Sequence, residues 1–177
     1  MELKPQDLLV LLKAAARPGE RLTYAALGKA LSMSPSEVHA SVQRAAVAGL
    51  AVVRGRGDWA PIIPALLEFA VHGARYAFPA VPGPVRRGVP TSFGVEPLAS
   101  KLAATAGDVP VWAWPSGTVK GPSLSPLYRT VPQAALADPA LHQLLALLDA
   151  LRIGRARERD LAKQALAQAL GSPNAAR

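Results

Sequence analysis

Apolar residues recur at helical spacing from the start of the chain. In PQDLLVLLKAAAR, residues 5–17, Leu8, Leu11, Leu12 and Ala15 fall three or four apart behind Pro5 and Asp7, and Pro18-Gly19 ends the run. That period predicts a short amphipathic helix, because positions three and four apart share one side of a helix. A second helix is expected over YAALGKALSM, with Thr23 as its cap and Ala26, Leu27, Ala30 and Leu31 as its buried side. The third start is the most explicit. Ser34 and Glu37 form a capping box, Pro35 takes the first helical position and Gly49 supplies a left-handed exit, which predicts a helix over 35–48. Val38, Val42, Ala45 and Ala46 are expected to pack inward, with Ser36, His39, Ala40, Gln43, Arg44 and Val47 outward. LAVVR then has strand character, and GRGD offers a tight turn before Trp59, which predicts a small hairpin.

The pattern changes after residue 61. PALLEFAVHGARYAF predicts a helix over 64–77 with Leu66, Leu67, Ala70, Val71 and Ala74 as its stripe. Ten of the 17 prolines lie between Pro79 and Pro132, which forbids long helices there and predicts loops with short strands. The best strands are PVWAW at 110–114 and TVKG at 118–121, joined by a turn at Pro115-Ser116-Gly117. Asp138-Pro139 opens a helix whose stripe is Leu141, Leu144, Leu145, Leu148 and Leu151, and a further helix follows Gly154 as far as Leu170. The expected fold is mainly α. It has an N-terminal winged helix-turn-helix at 1–62, a connecting helix at 63–78, a Pro-rich segment with short strands at 79–137 and a helical C-terminal region at 138–171.

The stretch LSMSPSEVHASVQRAAVAGLAVVRGRGDW resembles the core of winged helix-turn-helix regulators of the broad MarR-like kind. The matching features are Leu31 ending the second helix, Ser34 and Ser36 opening the third, Val38 and Val42 as core anchors, Arg44 on the outer side, and Gly49-Leu50 leading to the wing. The likeness covers about a third of the chain, and it departs from the usual pattern in having one arginine and no lysine on the third helix. It implies sequence-dependent binding to double-stranded DNA for transcriptional control, with an antitoxin-like autorepressor as a variant. Arg44 and Gln43 would then read base edges, with Ser36 and His39 reaching bases or phosphates. Ser34 would suit a phosphate, Arg54 and Arg56 on the hairpin would reach backbone or minor groove, and Thr23, Tyr24 and Lys29 would set register. The alternative is an assembly module that uses the same helices for protein contacts without DNA. The leucine stripes about Gly154 offer a surface for a homodimer or a partner protein.

Charge modifies this picture modestly. Twenty Lys plus Arg against 12 Asp plus Glu give a formal +8, which favours a polyanionic partner. The excess is spread as +3, +3 and +2 over 1–60, 61–130 and 131–177, so no segment holds it. The absence of cysteine removes disulfides, thiolate metal sites and cysteine nucleophiles. The apolar runs are too short to span a bilayer, and MELKPQDLL lacks the form of a signal peptide, so a cytoplasmic location and no membrane partner are expected.

No enzyme activity or cofactor is expected. His39, His72 and His142 form no metal-ligand spacing, serine nucleophile motifs are absent, and GRGDW lacks the length and lysine of a phosphate loop. Three lesser features have ordinary readings: Glu68 and His72 share a helix face, RRGVP at 86–90 could hold an anion but reads as an exposed loop, and Trp112, Trp114 and Tyr128 serve packing more readily than base stacking. Arg152, Arg155, Arg157, Arg159 and Lys163, interspersed with Glu158 and Asp160, read as a solvated helix with local ion pairs.

Overall fold

The computed structural model describes residues 2–55, 57–103 and 107–171. Helices α1 (Pro5–Ala15), α2 (Tyr24–Leu31) and α3 (Pro35–Val47) precede an antiparallel hairpin of β1 (Ala51–Gly55) and β2 (Asp58–Pro61), with Val52 opposite Ala60 and Val53 opposite Trp59. A helical stretch follows as α4 (Ile63–Glu68), a π-helical turn at Phe69–Gly73 and α5 (Ala74–Ala77). Strand β3 (Pro82–Pro90) leads through a 3-10 turn at Ser92–Gly94 and α6 (Leu98–Lys101) to β4 (Val111–Ala113) and β5 (Val119–Leu124). Helices α7 (Val131–Ala137), α8 (Pro139–Ile153) and α9 (Ala156–Ala169) complete the order.

This arrangement corrects the expected fold class. Helix makes up 54% and strand 16%, in two small sheets interleaved with helices, which is not a clear winged helix-turn-helix followed by an irregular Pro-rich segment. The physical reason lies in α1. Leu8, Leu9, Val10, Leu11 and Leu12 are all fully buried, so this helix has no solvent side over its middle. It packs on α3 and β2 and also on α8, and it therefore carries one core from the N-terminal helices to the C-terminal ones.

Helix α8 is likewise enclosed. Leu141, Leu144, Leu145, Leu148 and Leu151 are buried within the chain itself, so the stripe expected to serve a homodimer or partner is occupied by α1, α5, α7 and α9. Its start is held by Asp138, which accepts from the Ala140 and Leu141 N–H groups and from Lys13 Nζ at 2.5 Å, while Arg17 lies 3.8 Å away. Burial alone pushes the Asp138 carboxyl up, but the Lys13 ammonium, the Leu141 N–H and Arg17 hold it below the ordinary carboxylate range.

Strands of the Pro-rich segment pair differently from the expected 110–121 hairpin. RRGVP is not a loop but the second half of β3, which pairs antiparallel with both β4 (Val89 opposite Trp112) and β5 (Arg87 opposite Lys120). Strands β4 and β5 meet in parallel at Val111 and Ser123, closing a three-stranded barrel. So small a barrel needs glycine where backbones touch: a Cβ on Gly88 would lie 2.0 Å from the Trp112 carbonyl oxygen, and one on Gly121 1.8 Å from that of Val109. Asp149 of α8 pins the barrel, accepting from Thr91 Oγ1 and Trp112 Nε1, both at 2.8 Å, and from Arg152 Nη1 at 2.7 Å. Complete burial pushes the Asp149 carboxyl upward, against Arg152 and the two neutral donors. Trp112 is therefore core, not a stacking platform.

Candidate nucleic-acid interface

The pairing of α2 with α3 is set by local chemistry. Thr23 Oγ1 accepts from the Ala26 N–H at 3.1 Å and starts α2. The helix ends at Ser32 in the left-handed region, and the Met33 N–H returns to the Gly28 carbonyl at 2.8 Å. Gly28 permits this tight turn, since a Cβ there would stand 2.6 Å from the Met33 carbonyl oxygen. Helix α3 opens with the complete box: Ser34 N–H donates to Glu37 Oε2 at 2.8 Å, and Glu37 N–H donates to Ser34 Oγ at 3.2 Å. The Ser34 backbone and hydroxyl lower the Glu37 carboxyl below its usual range against the opposing effect of burial, with lesser help from Arg129 and Tyr128. A carboxylate thus already occupies the positive end of α3, which disfavours a phosphate beside Ser34.

Val38, Ser41, Val42 and Ala45 form the buried side of α3. At about 100° per residue, Ser36, Gln43 and Val47 project together on the opposite side, with His39 near them. Ser36 and His39 are exposed, Gln43 is half-buried and Val47 is 67% exposed, so this ridge is open to solvent. His39 stands edge-on to the Tyr24 ring, centroids 5.2 Å apart, which ties the start of α2 to the outer side of α3. Thr23 and Lys29 are exposed on α2. Arg54 is exposed on the hairpin, with a long 3.9 Å contact to Asp58. Arg56 lies outside the described residues.

Arg44 departs from its expected place. Its Nε and Nη2 donate to the two oxygens of Asp7 at 2.8 and 2.6 Å, and Nη2 also reaches Ser41 Oγ at 3.2 Å. The hydrogen bonds from Asp7 raise the Arg44 pKa above its usual value, opposed by burial. Arg44 sits roughly a quarter-turn from the Ser36–Gln43 line, and the fully buried Asp7 on α1 draws it toward the core. The outward assignment of Arg44 is thereby corrected. The ridge that remains carries a histidine, a serine and a glutamine, and no cation of its own.

Arg17, Arg21 and Arg129, not singled out in the sequence, and Tyr128, weighed there only for stacking or packing, also border this region. Arg17 and Arg21 flank the α1–α2 turn beside the hairpin, and Tyr128 and Arg129 face Glu37. Spacing could not reveal Tyr128 and Arg129, which lie some ninety residues beyond Glu37 in the chain. Elsewhere, Glu68 and His72 line a shallow recess of about 390 Å³ beside the π-helical turn. Among the described residues, no cluster of three or more His, Cys, Asp or Glu could hold a metal ion, and no helix is long and apolar enough to cross a membrane. No protein-family model, curated protein or solved structure matches the chain.

Proposed function

We propose that the protein binds double-stranded DNA through α2, α3 and the β1–β2 hairpin, in the service of transcriptional control. The observation that carries this reading is the solvent-open ridge of Ser36, His39 and Gln43, packed beside α2 and β1 and accompanied by Lys29 and Arg54. Gln43 suits paired hydrogen bonds to adenine, and Ser36 and His39 suit single contacts to base edges. Lys29, Arg54 and the free backbone N–H groups at the start of the eight-residue α2 suit phosphates, with Thr23 and Tyr24 fixing that helix end. An autorepressor of an operon encoding a partner protein is one form of such a regulator.

The test is duplex binding followed by fluorescence anisotropy as salt rises from about 50 to about 300 mM, first with random duplex and then with sequences selected from a random pool. Two or three phosphate contacts per chain predict a log–log slope of roughly −2 to −3. Gln43→Ala should reduce discrimination between sequences, whereas Arg54→Ala should weaken all duplexes alike. Salt-independent or absent binding would dismiss the reading.

One observation favours an assembly role instead: Val47 at the end of the ridge, with Val52, Val53 and Ile62, exposes apolar surface next to the hairpin. A Val47→Lys variant distinguishes the two, since it should abolish a protein contact but leave or strengthen attraction to a duplex.

A further inference from the structure

The β3–β5 ribbon carries a basic face that the fold leaves uncovered. The segments 69–95 and 109–137, which supply all three barrel strands, contain no Asp or Glu. In the β3–β5 register Arg87 stands opposite Lys120 and Val85 opposite Pro122, so these four side chains share one face. Val89 and Trp112 lie on the same face, since β3 residues two apart point the same way and Val89 is opposite Trp112. There α8 covers it, with Asp149 holding Trp112 Nε1 at 2.8 Å, and both residues are buried. Toward the start of β3 the cover ends: Arg87 and Lys120 are exposed, and Val85 is 67% exposed.

The β3–β4 pairing puts an aromatic ring beside these cations. The Trp114 N–H donates to the Arg87 carbonyl at 3.1 Å, which extends the register of Gly88 with Ala113 by one residue and sets Trp114 next to Arg87 on the same face. Trp114 is only partly buried, in contrast to Trp112. Across this face the order is therefore Trp114, Arg87, Lys120. The two cations are a like-charge pair directly opposite one another, an arrangement that costs stability. Among the described residues neither meets a carboxylate, and their one side-chain hydrogen bond is from Arg87 Nη1 to the Gly117 carbonyl at 3.4 Å. Asp108, the acid nearest in sequence to the barrel strands, belongs to the 107–109 segment that packs against Gly121, on the opposite face.

We propose that this face binds an unpaired nucleic acid strand, with a base stacked on Trp114, the adjoining phosphates on Arg87 and Lys120, and Val85 against a sugar. Every base has a π face, so an aromatic ring beside cations holds single strands without reading their sequence. A phosphate between Arg87 and Lys120 also removes the repulsion that the free protein tolerates. The contacts go to base and phosphate, so RNA and DNA strands bind alike. A duplex keeps its bases stacked inside and has none to give Trp114. This site is separate from the α2–α3 ridge and does not rest on the duplex reading above.

The test uses labelled oligo(dT) and oligo(U) of about ten nucleotides, followed by anisotropy on the full chain. Both should bind, within about threefold of one another, with a log–log salt slope of roughly −1 to −2 for two phosphates. Arg87→Gln and Lys120→Gln should each weaken the strands about five- to tenfold and leave the melting temperature of the free protein equal or higher, because a like-charge pair is relieved. Arg86→Gln, which loses the same charge from the other face, should cost less than about twofold. Trp114→Leu should weaken the strands at least about tenfold, and Trp114→Phe should keep most of the affinity. Tryptophan emission should drop when a strand binds the parent and stay level when it binds Trp114→Phe. Equal losses from Arg86→Gln and Arg87→Gln, or unchanged emission in the parent, overturn the stacked face. Tighter binding to phosphatidylserine vesicles than to either strand also overturns it, as does a strand affinity that falls as much with Gln43→Ala as with Trp114→Leu. Strand binding with no duplex binding at any salt removes the duplex reading and leaves this site standing.

Discussion

Arg44→Ala separates a structural arginine from a base-reading one. Asp7 is fully buried, and Arg44 supplies both its oxygens with hydrogen bonds, the arginine side chain being only 12% exposed. Removing the arginine leaves a carboxylate inside the core with the Lys4 N–H, at 2.8 Å, as its remaining donor. Breaking such a pair costs about 3–5 kcal/mol. For a chain of this size each kcal/mol moves the melting temperature by about 2–4 °C, so a fall of roughly 6–20 °C is expected. Circular dichroism or scanning fluorimetry reads it directly. The double variant Asp7→Leu with Arg44→Met should regain most of the loss, since apolar replacement of both partners leaves no stranded charge. At a temperature where Arg44→Ala is folded, it should discriminate between duplexes as the parent does. A melting temperature within about 2 °C of the parent, together with lost discrimination, would mean that the guanidinium faces outward, and the inward assignment would be abandoned.

Three further outcomes follow from buried polar groups and close backbones. Asp149→Ala strands Arg152 together with the Trp112 and Thr91 donors, and should lower the urea midpoint by the equivalent of at least about 3 kcal/mol; an unchanged midpoint would exclude the buried network. Gly121→Ala should cost about 1–3 kcal/mol by forcing β5 from Val109, whereas Gly55→Ala, whose Cβ meets nothing within 4 Å, should be nearly neutral; equal effects would contradict the close approach. Because the folded Asp138 carboxyl lies below its ordinary value of about 3.9, its stabilisation is present above that pH and is lost as pH falls through the folded value. Urea midpoints of the parent and Asp138→Asn should therefore differ at about pH 6 and converge near about pH 2; a constant gap would show that the carboxyl is not depressed.

Helix boundaries were the most legible feature of the chain. The box Ser34–Glu37 with Pro35 predicts a start at 35, where α3 begins, and Asp138-Pro139 marks the start of α8. The 64–77 helix was legible as helical, but not its π-helical turn at Phe69–Gly73, where the missing Cβ of Gly73 leaves space for the Phe69 ring. Among the candidate DNA contacts, His39 and Ser36 could be placed outward by periodicity. Arg44 could not, because residues at the edge of a helix face go to whichever partner is nearest, and that partner stands on another helix.

By itself the sequence determined what depends on neighbours within about four residues: caps, helical runs, glycine turns and the apolar faces. Tertiary structure decided which of those faces meet. Asp7 finds Arg44 thirty-seven residues away, Lys13 finds Asp138 at 125, and Asp149 finds Thr91 at 58. These pairings enclose α1 and α8, convert an apparent loop into β3, and leave the α3 ridge open while its arginine turns inward. The reason is that burial and ion pairing act through distance in space, and a linear pattern specifies which residues seek partners without specifying where those partners lie.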